Sequence, residues 1–491
     1  MITLLACVHP LPPGPSPAEQ AAAPPLPILM PVEDAGIVYV EAAFRAGSAW
    51  DPVGQEGVAA LTARLVREGG TASRSPDEVE QLLYALGAEL EVVVGKELVV
   101  FRGKALDEDA DALLELIVEL TTTPGFDAAT AERLRDEALQ VLQTELLTDD
   151  EALGDTTLDT WLFEGHPYGH PIDGREGALA LLTAEQARDF HGSVWTREAA
   201  TIGLGGAVDE ALQAQVQQAF AALPATRARP RTPAPVRNPS ERSMLLVEHD
   251  TDSVGVHFGH PLDLEPGSRE HAALAVGMAA FGFHRESIGT LYQELRGTRG
   301  LNYGDYAYAE FFDQDGWSSD RELGTRRLQP QAYVWLRPLD PAAAPFALRA
   351  AVALFEDLAA QGLSEEEHAG ITAYLARRGP LDLASPARRL SSLVEAQALG
   401  LPAPHDPASF TRDEVNAALA AHLDPSALQI VVVARDTAGF ADAAVEETVA
   451  TPVYATSPTP EVAATDAIWA THPLHLATDR ITHARAEGLF R

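Results

Sequence analysis

Apolar positions along this chain follow two periods, and the order in which the periods appear repeats. Gly36 to Ser48 opens with alternating apolar residues, Ile37 and Tyr39, on a β-branched background, which predicts a strand. Gln55 to Glu68 places Val58, Leu61, Leu65 and Val66 on one side of a helical period. Ser75-Pro76-Asp77-Glu78 has a helix start's composition: a capping serine, proline in the first turn, acids behind it. That helix runs to Leu86 and stops at Gly87. Glu89–Val94 and Leu98–Arg102 read as two strands around a Gly95-Lys96 turn, and Glu108–Thr122 and Ala128–Thr144 as long helices.

A Pro/Arg-rich stretch from Ala225 to Arg242 has no apolar period and reads as an exposed linker. Beyond it the pattern restarts. Met244–Gly259 reads as strand, turn, strand; Arg269–Phe281 and Ile288–Leu295 as helices; Leu301–Phe312 and Gln331–Leu336 as strands. Pro345–Gln361 and Ser364–Arg378 form a helix pair, the second opening on a Ser364/Glu367 capping box. This pair mirrors Glu108–Thr122 and Ala128–Thr144, and both pairs carry a similar hinge, Thr123-Pro124-Gly125-Phe126 and Gln361-Gly362-Leu363-Ser364. The repetition implies an internal duplication of an α+β unit of roughly 200 residues. The resulting division is a Pro/Ala-rich tail over 1–31, a first domain over 32–225, a linker over 226–242, a second domain over 243–445 and a Thr/Pro/Ala-rich, weakly helical extension over 446–491.

Composition narrows the partners. At 491 residues the chain is too long for one ordinary core, and 46% hydrophobic residues supply enough material for two. Lys and Arg number 35 against 72 Asp and Glu, a formal net charge of -37. Such a balance argues against nucleic acid, which needs clustered cations, and against direct attraction to anionic lipid headgroups. A solvated acidic surface accounts for the charge, with a preference for basic peptides as the functional alternative. A single cysteine, Cys7, excludes an internal disulfide. No apolar run reaches the ~18 residues of a membrane-spanning helix.

Leu4-Leu5-Ala6-Cys7 resembles a bacterial lipobox and is followed by a Pro/Ala spacer, but no basic stretch and hardly any apolar core precede it. Two readings stand side by side: a lipid anchor at Cys7, the only route to a membrane, with a periplasmic or cell-envelope location; or a disordered tail on a cytoplasmic protein.

Three stretches together resemble a family. Gly57-Val58-Ala59-Ala60-Leu61-Thr62-Ala63-Arg64, closing on Glu68-Gly69-Gly70-Thr71, is similar to the first helix of pitrilysin/insulinase-type zinc peptidases. Phe163-Glu164-Gly165-His166-Pro167-Tyr168-Gly169, with Asp173-Gly174 behind it, resembles that family's His-Pro-Tyr-Gly loop. Leu291-Tyr292-Gln293-Glu294-Leu295-Arg296, then Gly300-Leu301-Asn302-Tyr303, is similar to the Leu-Arg…Gly-Leu-x-Tyr element of its second domain. The resemblance covers about Gly36 to Ala441. It implies an α+β fold of two tandem homologous domains, each a mostly antiparallel sheet packed against helices, in the pitrilysin-like (LuxS/metallopeptidase-like) arrangement.

In that family the zinc motif is His-x-x-Glu-His on the first helix. Positions i and i+4 share a helical face, so two imidazoles hold one metal and the intervening Glu reaches its water. Aligned on Gly57 and Gly70-Thr71, those positions are Ala60, Ala63 and Arg64, none of which ligates zinc or accepts a proton. The third ligand, a Glu on a later helix, falls at Val141 when Glu132-Arg133-Leu134-Arg135-Asp136 sets the register, with Glu137 and Glu145 a turn to either side. The resemblance therefore implies a degenerate zinc site and no metal on this chain. None of the 15 histidines rebuilds one. His166 and His170 are separated by Pro167 and Gly169, which break helical stacking and favour a structural loop. His257 and His260 fall on opposite faces of a strand. Glu366-Glu367-His368 has Ser364 where a first His belongs, and reads as a polar helical turn.

Arg296 and Tyr303 match an Arg and a Tyr that in related peptidases contact the substrate carbonyl and the oxyanion formed from it. Helix-end electrostatics and an ordinary strand tyrosine are the alternative account of the two. With the metal positions lost and this pair kept, the resemblance implies a non-catalytic subunit of a heterodimeric zinc peptidase. Arg296 and Tyr303 would act in trans on a peptide held by a homologous partner that carries zinc on an intact His-x-x-Glu-His. The alternative is a stand-alone pseudopeptidase that binds peptides or scaffolds an assembly.

Overall fold

The computed structural model describes residues 24–33, 35–225, 235–236, 238–283, 286–309, 326–454 and 456–491. The lipobox resemblance at Cys7, most of the linker and the end of the strand expected to reach Phe312 lie outside them.

The first domain's sheet contains β1 (Ile28–Pro31), β2 (Ile37–Phe44), β3 (Glu89–Val94), β4 (Val99–Leu106) and β5 (Ala200–Gly206), in the order β1-β5-β2-β4-β3. The second contains β6 (Ser243–Glu248), β7 (Val254–Pro261), β8 (Gly304–Tyr308), β9 (Gln331–Leu339), β10 (Gln429–Ala434) and β11 (Ile481–Arg485), in the order β11-β6-β10-β7-β9-β8. Without β11 the two orders coincide strand for strand. The directions coincide too: β1 is parallel to β5 as β6 is to β10, and the remaining matched pairs are antiparallel. The duplication read from the sequence is thus a duplication of topology, and both sheets are mixed.

Local signals set most boundaries. Ser75 and Glu78 close a reciprocal capping box, and Gly87 ends that helix in the left-handed conformation. Ser364 and Glu367 do the same at the start of Glu365–Asp382. Three expectations need correction. The helix expected to run through Thr144 leaves the α-form after Gln140 and continues as a π-helix over Val141–Glu145. The helix expected over Ile288–Leu295 is a π-helix over Tyr292–Gly297, where the Arg299 guanidinium takes the carbonyl of Glu294 at 2.7 Å. Finally, strand β1 falls within the expected tail, and the expected C-terminal extension supplies the Pro460–Ala470 helix and β11, which runs parallel to β6.

Each sheet buries both faces, and the outer cover comes from the other half of the chain. In β2, Val38, Val40, Ala42 and Phe44 enter the first core, while Ala43 turns outward. That outer face is covered by Leu390 and Val394 of the second domain's Pro386–Leu399 helix. In return, the first domain's Asp150–Leu162 helix lies on the second sheet, with Leu153, Leu158 and Leu162 packed against Val431, Val433, Tyr333 and Trp335. The approach is close enough to require glycine: a Cβ on Gly203 would sit 2.3 Å from Val394 Cγ2, and one on Gly154 would sit 2.1 Å from His257 Nε2. Exchanging helices in this way buries apolar surface from both halves in shared clusters and couples the domains.

Candidate functional site

Two of the motifs meet at the start of the Val58–Glu68 helix. Asp51 accepts the backbone N–H groups of Gly57 at 2.6 Å and Ala59 at 2.8 Å, filling donors that helix geometry leaves open. Gly57 and Gly174 both have positive φ, +102° and +99°, and pack backbone to backbone. A Cβ on Gly174 would lie 2.2 Å from the Glu56 carbonyl oxygen, so the Asp173-Gly174 turn seats directly on the helix start. Lys96, fully buried, fixes the preceding loop by donating to the carbonyls of Tyr168, at 2.9 Å, and His170. Burial lowers its ammonium to about 8, against the pull of Asp159 at 3.7 Å. The Tyr168 hydroxyl donates to Glu97 at 2.6 Å. His170 faces the Pro171 carbonyl, and burial, with Lys96 nearby, holds its imidazole down at about 4. The His166–His170 loop is therefore a structural one.

The positions aligned with zinc ligands do not fit a metal. Ala60 and Ala63 are buried, and Arg64 forms an ion pair with Glu137 at 3.5 Å. Val141 opens the π-helix and lines the cavity described below. Neither alanine has a donor atom, and the guanidinium repels a cation. Among the described residues no group of three or more His, Cys, Asp or Glu is placed to hold one. His257 and His260 point to opposite faces of β7: His257 Nδ1 meets Asp155 at 2.8 Å, while His260 Nε2 accepts the Asp424 N–H at 3.1 Å.

Between the domains lies a cavity of about 930 Å³, walled by Lys96, Val141, Asp155, Asp159 and Asp173 on one side and by Glu286, Tyr292, Arg296, Tyr303 and Arg337 on the other. The fold thus brings Arg296, Tyr303 and Val141 to one space, and Ala60, Ala63 and Arg64 are not among its lining residues. Arg296 Nη1 donates to the Tyr303 carbonyl at 2.6 Å. Its guanidinium carbon lies 4.2 Å from the Tyr303 ring centre and 5.1 Å from that of Tyr292, a flat cation held between aromatic faces. Tyr303 is 70% exposed, and none of the described residues bonds its hydroxyl. Behind it, Asp305 is buried, accepting from Asn302 Nδ2 at 3.2 Å. Burial raises its carboxyl to about 7, opposed by that hydrogen bond and by the Arg296 charge.

Sequence reasoning missed a second set of residues. Along the Asp150–Leu162 helix, Glu151, Asp155 and Asp159 recur every fourth residue, and each engages the second domain. Glu151 accepts from Trp335 Nε1 at 2.7 Å and Arg337 Nη1 at 2.6 Å, Asp155 meets His257, and Asp159 accepts both terminal nitrogens of Arg327, at 2.5 and 3.3 Å. The acidic spacing was the available signal, and the partners that give it meaning come only from the fold.

Two family profiles match the chain in tandem: the insulinase family (peptidase family M16) over residues 32–172, and the peptidase M16 inactive domain over residues 181–374. The chain belongs to the M16 peptidase family. Among M16 relatives, an uncharacterized zinc protease of Mycobacterium leprae is 29% identical over 50% of this chain and 55% of its own length. A Helicobacter pylori protein named as a non-peptidase homolog is 25% identical over 56% of this chain and 62% of its own. The chain thus spans little more than half the length of the curated relatives it matches. In structure it is similar to a peptidase M16 inactive domain from Pseudomonas fluorescens, with a TM-score of 0.74 and 21% identity over 89% of this chain and 98% of that one. A Helicobacter pylori protease gives 0.70 at 13% identity, over 83% and 95%. These likenesses establish the two-domain M16 fold.

Proposed function

We propose that this M16 protein is a non-catalytic subunit of a divided zinc peptidase. In this reading Arg296 and Tyr303 contact a peptide whose scissile bond is attacked at a zinc site on a homologous partner with an intact His-x-x-Glu-His. The carrying observation is the asymmetry between the two sets of family positions. The metal-side positions Ala60, Ala63, Arg64 and Val141 have no ligating atoms, whereas Arg296 is held by Tyr292 and Tyr303 and the Tyr303 hydroxyl is left unbonded among the described residues. A guanidinium and a phenol lining one cavity suit a substrate carbonyl and the negative charge that develops on it during attack.

The test is to combine the purified protein with an M16 subunit carrying the intact motif and to follow cleavage of internally quenched peptides. Activity of the pair above that of either protein, lost in Arg296→Ala and reduced in Tyr303→Phe, is the expected result. Full activity with both variants would exclude the shared site. The non-peptidase homolog in Helicobacter pylori favours one other reading, a pseudopeptidase that binds peptides without a partner. Saturable peptide binding by the isolated protein, with no gain in cleavage on mixing, would decide for it.

A further inference from the structure

We infer that the C-terminal segment acts as a positioning device for the cavity's Arg296–Tyr303 element, with Asp466 as the positioning residue and Arg299 as its link. The inference rests on the divided-site reading above.

Arg299 stands midway between Arg296 and Tyr303 in the chain, yet its side chain is only 1% exposed. Its Nε donates to Asp466 at 2.7 Å, and the Asp466 side chain is 4% exposed. The second Asp466 oxygen accepts the Tyr454 hydroxyl at 2.5 Å. The Arg299 guanidinium carbon lies 4.2 Å from the Trp469 ring centre. On its other side, Arg299 Nη1 donates to the Glu294 carbonyl and carboxylate, both at 2.7 Å. One guanidinium therefore ties the π-helix that carries Arg296 to three residues of the C-terminal segment.

The local backbone explains why that tie matters. Gly300 and Leu301 bend the chain back by donating to the carbonyls of Arg296 at 2.8 Å and Leu295 at 3.0 Å, with Gly300 at φ +64°. This turn sets where Tyr303 emerges relative to Arg296. The π-helix is closed by i to i−5 bonds such as Thr298 N–H to the Gln293 carbonyl, and Arg299 adds a side-chain donor to the Glu294 carbonyl near its end. Arg299 in turn is a buried charge shared by two carboxylates, Glu294 on the element itself and Asp466 from the C-terminal segment, and of the two the Asp466 side chain is the buried one. The chain of dependence runs from Asp466 through Arg299 and the turn to the two cavity side chains. Its chemistry is a buried bidentate-capable donor, an aromatic face and a carboxylate, which fixes direction as well as distance.

The test uses the full chain, alone and paired with the zinc-bearing subunit. Asp466→Asn keeps the shape and removes the charge; Asp466→Ala removes both; Glu461→Gln, at the exposed start of the same helix, is the control. In the isolated protein, hydrogen exchange at the Gly300 and Leu301 amides should rise about tenfold in Asp466→Asn, with the first domain and the β6–β10 amides unchanged. In the pair, kcat should fall about tenfold or more with a smaller change in KM, in the order Asn before Ala, alongside Arg296→Ala. Unchanged exchange at Gly300 and Leu301 overturns the inference. So does loss of activity in Arg296→Ala beside full activity in Asp466→Ala. Full activity in Arg296→Ala itself removes the shared site, and this role with it.

Discussion

Gly154 and His257 occupy what is in effect a single side-chain site: a Cβ on the helix glycine would stand 2.1 Å from Nε2 of the strand histidine. The imidazole uses that gap to reach Asp155 one residue further along, so the domains interlock at the depth of a missing methyl group. Gly154→Ala should destabilise the folded protein by about 1–3 kcal/mol in urea unfolding, the usual cost of overpacking. Adding His257→Ala should recover part of that loss. Two additive, independent losses would show that the residues do not compete for this space.

Asp159 neutralises two buried cations at once, Arg327 through two nitrogens and Lys96 at 3.7 Å. Asp159→Ala removes both of these ion pairs and should cost roughly 3–5 kcal/mol. Denaturation followed by far-UV dichroism is the direct measurement. A loss under ~1 kcal/mol would mean that water reaches these cations in solution.

Asp305 predicts a pH dependence. Burial raises its folded carboxyl from 3.8 to about 7, so the folded state holds a proton that the unfolded chain has released between those values. Its contribution to stability is therefore fully present below pH 4 or so and is lost as pH rises through about 7. The separation corresponds to at most ~4 kcal/mol. Asp305→Asn, which stays neutral, should gain on the parent protein as pH is raised from 5 to 8 in thermal melts. A constant difference between the two melting temperatures across that range would assign the proton elsewhere.

The metal register can be tested by restoring it. Ala60→His, Ala63→Glu, Arg64→His and Val141→Glu together should create zinc binding at least about tenfold tighter than that of the parent chain. Because Ala60 and Ala63 are packed at 4% and 0% exposure, the apo variant should melt lower, and zinc should restore the loss. Isothermal titration with no gain in affinity would place the lost ligands elsewhere on these helices.

The sequence by itself determined whatever depends on a few neighbouring residues. Capping chemistry fixed the starts at Ser75 and Ser364, and the left-handed glycine fixed the stop at Gly87. Alternation at Ile37 and Tyr39 marked β2 as a strand, although its core face is the other set, Val38, Val40, Ala42 and Phe44, and the repeated order of periods revealed two like domains. The motifs also pointed to Arg296 and Tyr303, which do share a cavity with Val141.

Only the tertiary structure decided the rest, because it depends on partners far away in the chain. The Glu151, Asp155 and Asp159 stripe looks like a solvated face until a second sheet is laid over it. The Tyr292–Gly297 segment is a π-helix rather than an α-helix, and near its end the Glu294 carbonyl accepts from Arg299, itself held by Asp466, 167 residues further on. The tail residues Ile28–Pro31 and the terminal Ile481–Arg485 gain strand geometry only from the β5 and β6 edges they join. Local pattern records what a segment prefers; burial, charge pairing and sheet registry are settled between segments, and the cavity exists only where the two domains meet.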